Sequence, residues 1–279
     1  MNGFILVNKQ KDVSSNFIVQ EIKKKIKAKK VGHMGTLDPL ASGLLVLAIN
    51  RATKFSSYFL ESEKSYDVEV ALGISTDTDD STGNIISESN DCPDEELIMK
   101  ELYRFKGESF QVPPFFSALK HKGKPLYYYA RKGEFISKPA RKIKVLDIED
   151  FKYKNKICSF RIQCSKGTYI RSIARDLGER LGCGAHMKSL TRISQGKFCI
   201  SNSKEISHVS KEDIISIESA FEDLESITMT TEHEKKFING VTIPVLKQKD
   251  NIYRIFSKDN TFIGIGEIKD SLLNHKQLV

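Results

Sequence analysis

The chain has 279 residues, enough to bury a sizeable core, and its 44 Lys and Arg against 36 Asp and Glu give a net charge of +8. This excess favours a polyanionic partner, whereas the lack of a long apolar segment and the short N-terminal apolar run Phe4–Val7 argue against a membrane span and a secretory signal. Five cysteines form no C-x-x-C pair, so we expect a reduced, cytoplasmic protein with no membrane partner.

Hydrophobic periodicity predicts alternating strands and helices along most of the chain. The first helix begins behind a Ser14–Ser15 cap, because Phe17, Ile18, Ile22 and Ile26 recur at helical spacing. In chain order, the predicted elements are strand Phe4–Val7, helix 17–26, strand Leu44–Ile49, strand Tyr66–Leu72, helix Asp94–Phe105, strands Lys144–Phe151 and Ile157–Cys164, and a helix with Ile173, Leu177 and Leu181 on one face.

A glycine-rich loop carrying one aspartate is the strongest local candidate for chemistry. It lies within the stretch KVGHMGTLDPLASGLLVLAI, residues 30–49, and runs into the apolar strand Leu44–Ile49. Glycines allow tight turns and close approaches, and Asp38 is biased toward extended backbone because Pro39 follows it. A carboxylate on a loop anchored to a rigid strand suits catalysis. The alternative is an ordinary Asp-Pro turn whose carboxylate bonds its own backbone.

Two basic segments indicate nucleic acid. The first is KKKIKAKK, residues 23–30, and the second is the segment 118–142, which holds eight Lys or Arg, one Glu and interleaved aromatics. Aromatic residues among cations suit looped or single-stranded nucleic acid, whereas an isolated lysine run is usually a solvated face. The stretch Gln111–Arg141 is too long for an ordinary connector, so we expect it to be a binding loop. By contrast, the acidic turn Thr76–Gly83 lacks EF-hand spacing, and we interpret it as a connection with no metal.

The character of the chain changes beyond about residue 206. Short strands with glycine turns are predicted at Val241–Val245, Ile252–Phe256 and Thr261–Ile268. They indicate a small β-rich unit, residues 229–279, appended to a main domain, residues 1–228.

Four separated blocks together resemble the TruB family of tRNA pseudouridine synthases. They are GHMGTLDPLASG with Asp38, KSYDVEVALG with Tyr66, QVPPFFSALKHKGKPLYYYARKG, and SKGTYIRSIARDLG with Tyr169 and Arg171. The resemblance runs from residue 3 to about residue 196 and resumes weakly in FINGVTIP and FIGIGEI. It implies isomerisation of the T-loop uridine of tRNA (tRNA position 55) to pseudouridine, with no cofactor, no metal and no obligate protein partner.

The resemblance assigns roles to individual residues. Asp38 matches the catalytic carboxylate, Tyr66 the aromatic that stacks on the target base, and Arg171 the arginine that pairs with the aspartate. Tyr169 and Leu190 match pocket residues. The remaining matches are His33, for the histidine that fills the space left by the extracted base, and Lys120, Lys122, Lys124, Arg131 and Arg141, within a mobile RNA-binding loop at 111–141. Residues 229–279 resemble a PUA-like RNA-binding module.

Each residue also has a simpler interpretation. Tyr66 and Leu190 could be core residues, and Arg171 could pair with Asp176 or Glu179 on its own helix. The chemistry itself requires only an ionised carboxylate beside the glycosidic bond, acting at C1′, at C6 or as a base at C2′. A T-loop base must be flipped out at a cost of a few kcal/mol, and stacking can return about 1–3 kcal/mol.

Three positions depart from the family pattern: Gln10 follows Lys9 where proline is usual, Asp12 stands where glycine is usual, and Met34 stands where a smaller or polar residue is common. Rival functions are a non-catalytic tRNA-binding or folding module, a synthase in a guide-RNA complex, a phosphate-binding enzyme and an enzyme acting on small nucleosides. The loop matches neither phosphate-binding glycine pattern, and a small nucleoside would leave the basic loop without a use. We therefore expect an α+β pseudouridine synthase fold with a mixed, mostly antiparallel central sheet flanked by helices, plus a β-rich C-terminal module.

Overall fold

A computed structural model describes residues 1–245 and 248–279. Within these residues, no helix is long and apolar enough to cross a membrane.

The helices and strands alternate irregularly along the chain. The helices of the described residues are α1 Ser15–Lys25, α2 Ser56–Leu60, α3 Glu95–Tyr103, α4 Leu126–Ala130, α5 Ile170–Leu181, α6 Ile217–Ala220 and α7 Thr231–Ile238. The first strands are β1 Gly3–Lys9, β2 Val31–His33, β3 Ser42–Ile49, β4 Lys64–Leu72, β5 Ile74–Thr76, β6 Ile85–Glu88, β7 Gly107–Gln111, β8 Lys120–His121, β9 Lys124–Pro125, β10 Arg141–Lys154 and β11 Ile157–Cys164. The later strands are β12 Ala185–Gln195, β13 Phe198–Cys199, β14 Ile215–Ser216, β15 Ser226–Thr228, β16 Ile243–Pro244, β17 Asn251–Phe256, β18 Phe262–Lys269 and β19 Leu272–Leu278.

One large sheet organises the main domain. Its strand order is β14-β1-β3-β12-β4-β11-β10-β7, with β2 beside β3 and β13 beside β12. Among the described strand pairings of this sheet, only β3 with β12 is parallel, and the others are antiparallel. The predicted mixed, mostly antiparallel sheet is confirmed.

Strand β3 is buried on both faces of this sheet, which explains its unbroken apolar sequence. Leu45 and Leu47 face a core shared with α1, α3 and α5, whereas Leu44 and Val46 face a second core containing Phe55. In β4, buried residues alternate with half-exposed ones, so the predicted half-exposed strand is also confirmed.

The C-terminal unit is a second sheet with its own core. Its strand order is β15-β17-β18-β19-β16, and Phe237 of α7 is fully buried against it. The unit also packs on the main domain, because Ile265 belongs to the core around Phe55. The strand β15 shows that this sheet begins at Ser226; the domain boundary near residue 228 stays a prediction.

Several strands differ from the sequence-based expectation. The stretch Val241–Val245 contributes only Ile243–Pro244 as strand, β19 was not predicted, and neither was β12. The β12 sequence, AHMKSLTRISQ, carries polar residues at sites that the fold buries, notably Arg192 and Gln195. A hydrophobic pattern could not reveal this central strand, because its buried face is partly polar.

Candidate active site

The loop that carries Asp38 is fixed through its backbone. Six consecutive carbonyl oxygens, residues 34–39, each accept a hydrogen bond. The donors are Gln195 Nε2 to Met34, Arg192 Nη1 to Gly35 at 3.2 Å, Arg192 Nη2 to Thr36 at 2.9 Å, Ser15 Oγ to Leu37 at 2.8 Å, the Ala41 N–H to Asp38 at 3.0 Å, and Lys9 Nζ to Pro39 at 3.2 Å. Four of the residues that donate are buried, so the loop is fixed by side chains of the protein core.

The unusual residue at position 12 fits this loop. Asp12 has φ 67°, a left-handed conformation that glycine adopts without strain and aspartate tolerates better than most residues. Its backbone N–H donates to the Pro39 carbonyl at 2.7 Å. The loop geometry is therefore kept despite the departure from the family pattern.

A glycine is required where the loop rejoins the sheet. Gly43 has φ +97°, and a Cβ atom on it would lie 2.4 Å from the Arg192 carbonyl oxygen. This close approach is where β3 and β12 pair in parallel, with Gly43 opposite Arg192. The loop thus ends at a fixed point of the central sheet.

Arg171 binds the Asp38 carboxylate. Its Nε lies 2.9 Å from Asp38 Oδ2, and its two Nη atoms donate to the carbonyl oxygens of Thr78 at 3.1 Å and Phe116 at 2.8 Å. The arginine side chain is 6 % exposed and the aspartate side chain 37 %, so a buried cation fixes a carboxylate that still faces solvent. Arg171 does not pair with Asp176 or Glu179; Arg175 contacts both of them.

The acidic turn Thr76–Gly83 is more than a connection, and our interpretation of it was wrong in this respect. Asp80 is buried and its Oδ2 lies 3.7 Å from Arg171 Nε. Its other oxygen accepts bonds from the hydroxyls of Thr78 and Thr82. The preceding residue, Asp79, pairs with Arg175, with its Oδ2 3.2 Å from Arg175 Nη1. The turn therefore supplies the second carboxylate beside Arg171.

Burial raises the pKa of Asp79 to about 6, although Arg175 and Arg171 oppose this shift. The sequence could not place Asp79 and Asp80 at the site, because more than 90 residues separate them from α5. Their spacing within a polar turn resembles that of any solvent-exposed loop.

The side chains of Tyr66, Tyr169 and Leu190 line one cavity with Asp38 and Arg171. The cavity encloses about 280 Å³, and Lys64 and Arg192 also line it. The five residues come from the loop, β4, the start of α5 and β12, so the fold brings the separated sequence blocks together. The backbone of Tyr169 is held by Gln111, whose side chain accepts from its N–H at 2.8 Å and donates to its carbonyl at 3.1 Å.

Tyr66 is anchored against a buried arginine. It is 7 % exposed, lies opposite Arg192 on the neighbouring strand, and has its ring centroid 5.7 Å from the guanidinium carbon. Burial raises the pKa of the Tyr66 phenol, and the positive charge of Arg192 counteracts part of that rise. Arg192, which touches both the loop and the tyrosine, was not singled out from the sequence. Its only signal in the sequence was a polar residue two positions after Leu190.

His33 lines a second cavity of about 460 Å³, which Asp38, Arg171, Tyr127 and Arg131 also line. Its Nδ1 is buried without a hydrogen-bond partner among the described residues. Burial, and then the charge of Arg192, lower the pKa of this imidazole. His33 and Tyr66 therefore line two cavities that share Asp38.

The basic loop contains a short hairpin, β8 with β9, followed by α4. Lys120, Lys122, Lys124 and Arg131 are exposed, whereas Arg141 is half-buried at the start of β10. Lys124 Nζ lies 4.4 Å from the centroid of the Tyr128 ring. Of these cations, Arg131 lines the cavity that His33 lines, and the exposed lysines are available to a polyanion.

Solved structures share the fold of this chain. A chain of a Cbf5-Nop10-Gar1 complex matches with a TM-score of 0.73 and 23 % sequence identity, covering 99 % of this chain and 84 % of that one. A chain of an H/ACA RNP bound to a substrate RNA containing 2'-deoxyuridine matches with a TM-score of 0.72 and 21 % identity, with the same coverage. The fold is that of the pseudouridine synthases.

Sequence comparisons give the family. The TruB family pseudouridylate synthase (N terminal domain) model matches residues 23–170, the tRNA pseudouridylate synthase B C-terminal domain model matches 171–235, and the Pseudouridine synthase II TruB, C-terminal model matches 226–279. The tRNA pseudouridine synthase B of Clostridium kluyveri is 40 % identical, covering 97 % of this chain and 96 % of the relative. That of Francisella tularensis subsp. novicida is 38 % identical, covering 99 % and 94 %. The chain belongs to the TruB family of pseudouridine synthases.

Proposed function

We propose that this protein converts the T-loop uridine of tRNA to pseudouridine and that Asp38 is the reacting carboxylate. The observation that carries the proposal is the contact between Asp38 and Arg171, at 2.9 Å, in the wall of a cavity that Tyr66, Tyr169 and Leu190 complete. A buried guanidinium holds the carboxylate in a fixed orientation, which a nucleophile or base requires.

The other residues take complementary roles around the base. Tyr66 stacks on the flipped uracil, and Leu190 and Tyr169 close the cavity around it. His33, which lines the second cavity beside Asp38, enters the space that the base leaves in the RNA. Asp80 supports the reaction through Arg171, because its Oδ2 lies 3.7 Å from Arg171 Nε.

The substrate is tRNA and the protein acts without an obligate protein partner. Relatives that match nearly the whole chain at 37–40 % identity are all named tRNA pseudouridine synthase B, whereas the Cbf5 complexes share the fold at 21–23 % identity. The exposed cations of the basic loop supply the sequence-independent attraction to RNA. The C-terminal sheet provides a second RNA-binding surface.

The test uses an unmodified tRNA transcript incubated with wild-type protein and with Asp38→Ala. Pseudouridine is mapped by carbodiimide labelling and primer extension, and tRNA affinity is measured by filter binding. We expect a stop at the T-loop uridine with the wild type only, and affinities that agree within a few-fold. The control is Asp67→Ala, which removes an exposed aspartate paired with Arg161 and should leave the stop unchanged.

The other outcomes are informative. Turnover by Asp38→Ala would refute the catalytic assignment. Binding with no stop in the wild type would favour the non-catalytic folding module, and a stop at another uridine would overturn the T-loop assignment while keeping the chemistry.

A further inference from the structure

Two buried cations line the uracil cavity, which is the cavity of about 280 Å³ that Tyr66, Tyr169 and Leu190 share with Asp38 and Arg171. Lys64 is 8 % exposed and Arg192 is 2 % exposed, and both line the cavity. A Cβ atom built on Gly35 would meet Lys64 Cε at 3.7 Å and both Arg192 Nη atoms at 3.8 Å. The two side chains therefore flank the same point of the loop, three residues before Asp38.

Neither cation is neutralised by a carboxylate within the described part of the chain. The ion pairs of this site are made by Arg171 and Arg175. Lys64 Nζ donates to the carbonyl oxygens of Leu60 at 3.1 Å and Ser62 at 2.7 Å. Arg192 likewise donates to carbonyl oxygens and, at 3.5 Å, to the Gln195 amide oxygen. Two like charges are thus held together out of water with only neutral acceptors.

Holding the backbone does not require this charge. Gln195 binds the carbonyl oxygens of Met34 and Phe59 with a neutral amide in the same region. Burial, followed by repulsion from Arg192, lowers the pKa of Lys64 to about 8, which shows that the arrangement disfavours the positive charge. Costly charges at the wall of a reaction cavity are typical of functional sites, where they stabilise charge that develops during the reaction.

The isomerisation creates a negative charge at this place. When the N1–C1′ bond breaks, its electron pair stays on the base, and the charge spreads over the ring and its two carbonyl oxygens. After rotation, C5 uses ring electrons to bond to C1′, the C5 proton leaves to a base, and N1 gains a proton. Atoms and electrons balance, and no oxidant or other reactant is needed.

We propose that Lys64 and Arg192 form a cationic floor that stabilises the negative charge on the uracil base while its bond to the sugar is broken. The proposal rests on the proposed function and adds two residues to it. Because a fixed positive charge acts most strongly where water is excluded, it contributes more to the anionic base than to the neutral substrate.

The test changes the stability of the departing anion. Fluorine at C5 withdraws electrons, so RNA with 5-fluorouridine at the target position releases a base anion that needs less stabilisation. The single-turnover loss of the target nucleoside is measured by digestion and mass spectrometry, for uridine and 5-fluorouridine RNA, with wild type, Lys64→Met and Lys64→Arg. In Lys64→Met we expect the uridine rate to fall about 100-fold and the 5-fluorouridine rate about tenfold. Lys64→Arg retains the charge and should recover most of the uridine rate.

The matched control is Lys9→Met. Lys9 is also a fully buried lysine that donates only to carbonyl oxygens, but it clamps the loop at Pro39 and does not line the uracil cavity. Its loss should slow both substrates by the same factor. Thermal unfolding of each variant verifies folding, and Lys64→Gln provides a second charge-removing change if Lys64→Met does not fold.

Two failures are distinguishable. If the wild type forms no pseudouridine, the proposed function is wrong. If the wild type is active and Lys64→Met slows uridine and 5-fluorouridine equally, as Lys9→Met does, the cationic floor is refuted while the proposed function stands.

Discussion

Replacing Arg171 by lysine should disable the site while leaving the fold intact. The arginine binds three separate acceptors at once: the Asp38 carboxylate at 2.9 Å and the carbonyl oxygens of Thr78 at 3.1 Å and Phe116 at 2.8 Å. A single ammonium group cannot reproduce this fork, so the contact with Asp38 or the contacts with the two loops are lost. A hydrogen bond to a charged group contributes about 1.5–3 kcal/mol, which corresponds to a rate loss of roughly 10- to 150-fold when it orients the reacting group.

The assay is single-turnover release of tritium from tRNA labelled at uridine C5, since that hydrogen must leave during isomerisation. The control is Arg175→Lys, one turn further along α5, which pairs with Asp79 and Asp176 and has no contact with Asp38. We expect the control to lose stability but to keep its rate within about threefold at saturating protein. A rate for Arg171→Lys within threefold of the wild type would refute the conclusion that this ion pair orients the carboxylate.

Three further changes test other parts of the site. Ser15→Ala removes the hydroxyl that bonds both the N–H and the carbonyl of Leu37, so the free energy of unfolding in urea should fall by about 1–3 kcal/mol; an unchanged midpoint would contradict the clamp. Burial lowers the pKa of Lys9 from 10.5 to about 8, and Asp38 opposes the shift. Between these two pH values the unfolded chain binds one proton more than the folded protein. The free energy of unfolding therefore rises with pH, by up to about 3 kcal/mol. Chemical denaturation at pH 7 and pH 10 should show a smaller rise in Lys9→Met, and an equal rise in both proteins would exclude Lys9 as its source. Replacing Lys120, Lys122 and Lys124 together by alanine should reduce the magnitude of the slope of log affinity against log salt concentration by about 2 to 3. An identical slope would show that the hairpin is not part of the RNA interface.

The elements predicted best are those whose burial is apolar. Strand β11 spans the predicted residues Ile157–Cys164, and α1 and α3 begin behind the side-chain caps Ser14 and Asp94. Strand β10 is longer than predicted, because register shifts after Val145 and Glu149 let it continue past an interrupted alternation.

The residues of the site also differ in how well the sequence predicted them. Motif resemblance located Asp38, Tyr66, Tyr169, Arg171 and Leu190, and the fold places them around one cavity. It did not reveal the residues that hold them, because each of these acts on a distant backbone carbonyl. No local pattern connects Arg192 with Thr36, which lies 156 residues away along the chain.

The buried polar side chains of the main domain explain why this site is so rigid. Lys9, Ser15, Arg192 and Gln195 are each at most 3 % exposed, and all four donate to the segment 34–39. Buried donors of this kind are costly unless they are satisfied, so they are tolerated where the backbone they hold must not move. In the proposed function, Asp38 meets a base that arrives only after flipping, and a displaced carboxylate would miss it. We infer that the polar residues which obscured β12 in the sequence are present in the core because they hold the Asp38 loop in its reactive position.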